Sequence, residues 1–328
     1  MSLTVSHRPL LAATCVVAAM ALLGLSDNLV VLVAEDAGLW QFHLVRSAMA
    51  LPLIALVALV YRVSLRPQRV VAVVLRSILV SLSMFFYFGA LAFVSVAQSA
   101  AGLFTAPIWV LLISFVVLRQ RISALNVLAV AVGFSGVILV LQPDVSALSP
   151  ALVLPVCAGI LYAFAAIATR RYCAQENTLT LLTGFFVAIL SWGVLGTIVM
   201  ALLRPEVAAG ADGFLLRGWV PMTARLWGLI GVQALAAVIG VGLITRGYLL
   251  AEAAFLSVFE YTLLIFGAIW GWMLWGQLLN AWALVGIALI IASGTALARA
   301  ERGNRSIQKD LTRQNFLENS VGSPDNDA

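Results

Sequence analysis

Three charged side chains inside long apolar runs are the residues of this sequence best placed to do chemistry. They are Asp27, Arg46 and Glu260. A charge at the centre of a bilayer costs about 2.5 kcal/mol or more on insertion scales, so such residues face a cavity or a partner. A carboxylate there would bind a cation or a proton, and the guanidinium fork of Arg46 would bind a carboxylate or a phosphate.

Each of these residues also admits a structural role. Asp27, with Asn28 beside it, and Arg46 are expected at similar depths in the outer half of the membrane, where an ion pair would satisfy both charges and could open as a gate. Arg46 could instead extend to the outer lipid headgroups. For Glu260, expected near the midplane, a proton- or cation-binding carboxylate is favoured over a hydrogen bond to a neighbouring helix.

Two more charged positions read as gate or interface groups. Glu252 falls near the inner end of its span, six residues after Arg246, which predicts a cytoplasmic-side salt bridge or gate contact. Arg76 lies near the inner end of another span and is expected to snorkel to the headgroups.

Aromatic residues form a second layer of candidates. Tyr87, Trp109, Tyr162 and Tyr261 fall nearer the midplane than the interface, and a buried hydroxyl or indole N–H needs a partner. Together with Phe104 they are predicted to line a substrate site, although any single aromatic more often packs or faces lipid. Pro107 interrupts its span and frees a backbone carbonyl, which makes it a hinge candidate.

The composition explains why these residues lie in a membrane. Of 328 residues, 63% are hydrophobic and 10% charged, with a mean hydropathy of +1.07. Soluble domains are about 45–50% apolar and about 25% charged. These values exclude an ordinary soluble protein, a disordered chain and a nucleic-acid binder, and indicate an integral membrane protein.

A helix needs about 20 apolar residues to cross a bilayer, and reading for such runs predicts ten spans. We place them at 10–33, 41–60, 70–92, 97–118, 124–141, 150–169, 179–203, 226–246, 251–275 and 279–298. The first run is interpreted as a retained span and not as a cleaved signal peptide, because it continues for about 24 residues without a small-residue cleavage site.

The basic residues orient these spans. Of the 19 Lys and Arg residues, only Arg204, Arg217 and Arg225 fall in the predicted outer connectors when both termini are cytoplasmic. The chain is then divided into a cytoplasmic N-terminus (1–9), a first five-helix repeat (10–141), a second one (150–298) and a polar, disordered cytoplasmic tail (299–328).

The two halves also resemble each other. Ala97–Ala101 lines up with Ala251–Ala254, in a register that places Pro107 opposite Tyr261. Because each half has five spans, the second enters the membrane upside down, and inverted repeats of this kind are typical of transporters. The fold class is therefore all-α, with ten transmembrane helices as two inverted five-helix repeats.

With these features the chain resembles the EamA-type drug/metabolite transporter superfamily over about residues 10–298. The segments Ala100–Pro107 and Phe259–Thr262, each followed by an apolar span, carry the resemblance. One departure is that Arg119-Gln120 and Gly276-Gln277 stand where such proteins often have Gly-Glu. The resemblance implies a central cavity lined by both halves, alternating access, and a small organic solute as cargo.

Other chemistry has little support in the sequence. Two His, three scattered Cys and no H-E-x-x-H or nucleophile elbow argue against a metal site, a catalytic site and any cofactor, so the chain is not expected to be an enzyme. No phosphate-binding loop occurs, so energy would come from protons or a counter-substrate. An amino acid or derivative is the favoured cargo, since the cavity carries both signs of charge. A nucleotide- or vitamin-like metabolite, a non-transporting sensor or assembly subunit, and a homodimer stay open.

Overall fold

The computed structural model describes residues 8–90, 94, 96–143 and 150–300, and all regular structure within these ranges is helical. Most of the predicted N-terminal segment and of the predicted tail lies outside them. Within these ranges, ten helices are long and apolar enough to cross a membrane, which confirms the predicted all-α class with ten spans. They are spans 1 to 10 in chain order: Pro9–Asp36, Leu39–Val60, Val70–Ala90, Gln98–Val116, Ala124–Leu141, Pro150–Tyr172, Thr178–Leu203, Ala224–Leu250, Ala253–Trp275 and Ala281–Ala300.

Local sequence signals explain where several helices begin and end. Ser123, Asn177 and Thr223 each accept a hydrogen bond from a backbone N–H of the first helical turn, as N-cap residues do. Span 9 ends at Gly276, whose φ of 65° is a left-handed conformation that glycine adopts without strain. The ends of the spans are therefore determined locally.

Two spans are broken at corresponding places in the two halves. Span 4 consists of the helices Val96–Leu103 and Ala106–Val116, separated by a turn. Span 9 consists of Ala253–Leu256, a 3₁₀-helix at Ser257–Tyr261, and Thr262–Trp275. Broken helices near the membrane centre are tolerated where they line a cavity or contact protein.

The packing between spans follows the same internal symmetry. Span 1 packs on spans 8 and 9, and its counterpart, span 6, packs on spans 3 and 4. Likewise, span 2 packs on span 8, and its counterpart, span 7, packs on span 3. Adding five to each span number converts one set of contacts into the other. This regularity supports the predicted inverted repeat, and it means that the main interfaces join one half to the other.

Spans 5 and 10 meet at a pair of glycines. A Cβ atom on Gly136 would lie 2.6 Å from the carbonyl oxygen of Gly286, and a Cβ on Gly286 would lie 2.6 Å from that of Gly136. Only glycine permits so close an approach of two backbones.

The charged connectors gather at the two ends of the bundle as the charge pattern predicts. At one end, which we call the Glu35 end, Arg225 pairs with Glu35 at 3.6 Å and with Asp36 at 3.1 Å. At the other, the Glu252 end, Arg170 lies 3.7 Å from Glu252. The cytoplasmic location of the termini stays a prediction from the positive charge of the Glu252 end.

The expectation that Arg76 snorkels to the headgroups is wrong. Arg76 is only 4% exposed and donates hydrogen bonds to Thr169 on span 6, to the Leu181 carbonyl on span 7 and to Thr245 on span 8. These acceptors draw the side chain inward, so Arg76 ties four spans together.

Candidate functional site

Asp27 faces the interior of the bundle and is nevertheless accessible to solvent. Met20 and Ala34, two helical turns to either side, share its face of span 1 and are only 4% and 6% exposed. Asp27 itself is exposed. Its position, nine residues before the end of span 1, is about 13 Å below the Glu35 end. Asp27 therefore combines buried neighbours on its helix face with an accessible carboxylate.

The other members of this group, which we call the Asp27 cluster, are Arg46, His43 and Tyr87. The charge of Asp27 interacts with Arg46 on span 2 and with Tyr87 on span 3. Among the described residues, however, no ion pair of 4.0 Å or less includes Asp27 or Arg46. The two opposite charges thus lie in one region of the bundle without pairing directly, and the predicted ion pair is not formed in this structure.

Arg46 is held by its own helix. Its guanidinium carbon lies 4.7 Å from the centre of the Phe42 ring, and Nη2 lies 3.1 Å from Nδ1 of His43. Because arginine only donates, Nδ1 of His43 is the acceptor and Nε2 carries its proton. Among the described residues, neither Nε2 of His43 nor Nε of Arg46 finds a hydrogen-bond partner, although both atoms are enclosed. The cluster therefore keeps donors unused.

Asn28 acts in the structure as a link between spans. Its amide donates to the carbonyl of Gly24 at 2.9 Å and to that of Gly267 on span 9 at 3.0 Å. These bonds attach the Asp27 segment of span 1 to the second half of the broken span 9.

A second group, the Glu260 cluster, lies nearer the Glu252 end. Glu260 is 7% exposed and sits in the 3₁₀ segment of span 9. The hydroxyls of Tyr162 on span 6 and Tyr248 on span 8 both donate to its Oε1, each at 2.8 Å. The sequence placed Tyr162 and Glu260 among the candidates, and the structure brings them into contact.

The two helix breaks face each other beside the Glu260 cluster. The rings of Phe104, in the break of span 4, and Tyr261, in that of span 9, pack edge to face with centres 6.0 Å apart. Trp109 turns inward and donates to Thr105 at 3.1 Å, while Pro107 begins the second half of span 4. Breaks, aromatics and proline thus meet at one level of the bundle.

Glu252 has a different partner from the one expected. Its ion pair is with Arg170 on span 6, whereas Arg246 is exposed on span 8. Span 8 ends at Leu250, between Arg246 and Glu252, so the two residues do not share one helix face. Arg170, Glu252, Ser114 and Gln120 line a cavity of about 120 Å³ at this end.

The candidate residues therefore form two groups at different depths of the bundle. Sequence reasoning missed His43, Tyr248 and Arg170. Tyr248 and Arg170 lie at the ends of apolar helices and meet their partners only through packing. His43 could have been predicted from the sequence, because it lies three residues before Arg46 and this spacing puts both side chains on one helix face.

Comparison with known proteins gives these observations a context. Residues 10–142 match the EamA-like transporter family. The "Pseudopaline exporter CntI" of Pseudomonas aeruginosa PAO1 is 26% identical over 259 residues, which cover 79% of this chain and 85% of the relative. A "Riboflavin transporter" of Vibrio cholerae is 25% identical over 301 residues, or 89% of this chain and 94% of the relative.

A solved structure shares the fold. A crystal structure of another protein is 17% identical in sequence, with a TM-score of 0.71 over 91% of this chain and 100% of the other. The family match and the transporter relatives confirm the resemblance drawn from the sequence. They point to a small-metabolite transporter in a bacterial membrane and away from an enzyme.

Proposed function

We propose that this EamA-like, ten-span membrane protein moves an amino acid or an amino-acid derivative across the bacterial inner membrane by alternating access. The observation that carries the proposal is the separation of Asp27 and Arg46. They bear opposite charges inside the spans, lie near enough for their charges to interact, and form no ion pair with each other.

A zwitterion fits such an arrangement because its ammonium and carboxylate groups are a few bonds apart. Asp27 would bind the ammonium, and the guanidinium of Arg46 would bind the carboxylate with its paired donors. Tyr87 lies close enough to Asp27 for an electrostatic interaction with its carboxylate. The enclosed, unpartnered nitrogens of Arg46 and His43 are donors that an anionic group would satisfy.

The rest of the candidates serve the side chain and the movement of the cargo. Phe104, Trp109 and Tyr261 lie where the two broken spans face each other and would contact its apolar part. Pro107 would let the halves of span 4 change their angle. The Arg170–Glu252 pair would close the Glu252 end, and Arg246 beside it would attract anions.

A second candidate cargo is a vitamin-like metabolite. Riboflavin transporters of three bacterial species are among the relatives. A ring system would stack on the aromatic residues at the helix breaks and would need the Asp27 cluster less. Charge-removing variants therefore distinguish the two candidates.

Counterflow in liposomes tests the proposal. Purified protein is reconstituted in vesicles preloaded with an unlabelled solute, and uptake of the same labelled solute is followed for a panel of amino acids, acetylated amino acids and riboflavin. We expect counterflow of at least one amino acid or derivative. Asp27→Asn and Arg46→Gln should each lower the rate of this counterflow at least about tenfold, which corresponds to a loss of about 1.4 kcal/mol of binding free energy.

Two exposed positions supply matched controls. Asp36→Asn and Arg66→Gln remove the same charges outside the cavity and should leave counterflow within twofold of the wild type. Counterflow of riboflavin alone, unaffected by the Asp27 and Arg46 variants, would replace the amino acid by the vitamin-like cargo. No counterflow of any solute would favour a sensor or assembly subunit.

A further inference from the structure

Glu260 is a buried carboxylate without a basic partner. It is 7% exposed, and no ion pair among the described residues includes it. A carboxylate taken out of water without a counter-charge is strongly disfavoured unless it is protonated or binds a cation. The buried position of Glu260 therefore favours binding of a proton or another cation to its carboxylate.

The hydrogen bonds assign different roles to its two oxygens. Oε1 accepts from both Tyr162 and Tyr248 at 2.8 Å. Oε2 accepts no hydrogen bond from the described residues. Unlike the buried polar atoms that lack a partner, it keeps some accessible surface. Two donors on one oxygen hold the carboxyl group in place and leave the other oxygen free for a proton.

The 3₁₀ segment of Glu260 carries two further hydroxyl groups that lack a hydrogen-bond partner among the described residues. Ser257, three residues before Glu260, lies on the same face, because side chains at i and i+3 eclipse in a 3₁₀-helix. The Ser257 hydroxyl and the Tyr261 hydroxyl are enclosed, and neither has a hydrogen-bond partner among the described residues. Neither hydroxyl therefore donates to Oε2, which stays without a hydrogen bond from this segment.

The elements packed against Glu260 bring few other titratable groups. The second half of span 4, span 5 and the second half of span 9 contain none. Span 6 presents Tyr162 and span 8 presents Tyr248, while Cys15 and Asp27 of span 1 form no hydrogen bond with Glu260 in the described part of the chain. Arg76 of span 3 donates its hydrogen bonds to spans 6, 7 and 8, and it forms no ion pair with Glu260 among the described residues. The remaining cations on the packed spans, Arg170, Arg171, Arg246 and Arg299, lie towards the Glu252 end of the bundle.

From this geometry we propose that Oε2 of Glu260 binds and releases the proton that drives transport, while Tyr162 and Tyr248 position the carboxyl group through Oε1. On binding, a lone pair of Oε2 takes up H⁺ and the group becomes a neutral acid. On release, the carboxylate forms again, held by the two tyrosines. The inference rests on the proposed transport function and names its coupling ion.

Proteoliposomes with an imposed pH gradient and a clamped membrane potential test the coupling. A gradient of about one pH unit supports up to about tenfold accumulation for each proton exchanged. We expect the wild type to accumulate the labelled amino acid above equilibrium and Glu260→Gln to reach a ratio of one. Gln keeps an oxygen that accepts from both tyrosines, so counterflow without a gradient should persist within about threefold. Glu206→Gln, an exposed loop carboxylate, is the matched control and should accumulate like the wild type.

Two results would overturn the proposal. One is pH-driven accumulation by Glu260→Gln equal to that of the wild type. The other is accumulation driven by a Na⁺ gradient at uniform pH.

An infrared titration without any solute separates this proposal from the transport proposal. We expect the wild type to show the C=O stretch of a protonated carboxyl group that disappears at high pH and is missing from Glu260→Gln. If the band is present and no amino acid is transported, the cargo is wrong and the proton site stands. If transport occurs and the band is identical in both proteins, the proton site is wrong.

Discussion

The hydroxyl of Tyr162 donates to Oε1 of Glu260 at 2.8 Å across the interface between spans 6 and 9, and 98 residues separate the two in the chain. The same oxygen accepts from Tyr248 on span 8. One carboxylate oxygen therefore joins three spans of the second half at the place where span 9 leaves the α-helical conformation.

This node predicts a measurable loss of stability. Tyr162→Phe and Tyr248→Phe should each lower the free energy of unfolding by about 0.6–1.7 kcal/mol, the range of interhelical hydrogen bonds in membranes. Thermal unfolding in detergent would show it. Tyr61→Phe, at a tyrosine that is 74% exposed, is the control and should not change the melting temperature. If both variants have the melting temperature of the control, the two hydrogen bonds do not stabilise the packing of spans 6, 8 and 9.

Arg76 should matter more than an exposed arginine. Arg76→Ala removes the donor that three neighbouring spans share and leaves buried acceptors unpaired, each at a cost of about 1–3 kcal/mol. We expect a lower yield of folded protein and a lower melting temperature, whereas Arg62→Ala on the surface leaves both unchanged. Equal melting temperatures for the two variants would contradict the structural role.

The glycine pair between spans 5 and 10 gives a packing test. Gly136→Val and Gly286→Val place side chains 2.6 Å from a backbone carbonyl, so one helix must shift, at about 1–3 kcal/mol. Gly228→Val is the control because nothing lies within 4 Å of a Cβ there. Melting temperatures that fall for the first two variants and not for the third are the expected result. A fall of the same size in all three would indicate lost glycine flexibility instead.

Opening the Glu252 end should expose the cavity beside it. In a variant with Cys15, Cys157 and Cys173 replaced by serine, a cysteine at Ser114 reports access, because Ser114 is 2% exposed and lines this cavity. Removing the Arg170–Glu252 pair with Glu252→Gln should raise the rate of maleimide labelling up to about fivefold, since a half-exposed pair is worth up to about 1 kcal/mol. The rate would stay constant if the pair has no gating role.

The separation of Asp27 and Arg46 predicts how their variants combine. If each charge binds a different end of the cargo, Asp27→Asn plus Arg46→Gln should raise KM in counterflow beyond either single variant, by roughly the product of the two effects. If the KM of the double variant is no higher than that of the more impaired single variant, the two residues mainly interact with each other and not with the cargo.

The spans could be predicted from the sequence because insertion into a bilayer is a property of each segment by itself. A run of about 20 apolar residues is sufficient for a span, and Gly276 or the cap Thr223 marks an end within one turn. The broken spans were predicted in part: Pro107 marks span 4, while the 3₁₀ segment of span 9 contains no proline to reveal it.

The neighbours of each polar group were decided by the tertiary structure alone. The ten spans are apolar nearly all round, so their sequences do not determine how each helix is rotated about its axis. Packing set that rotation, and with it the inward turn of Arg76, the pairing of Glu252 with Arg170 and the second hydroxyl on Glu260. Residue types and depths are therefore readable from the chain, whereas contacts between polar groups on different spans depend on how the helix surfaces fit together.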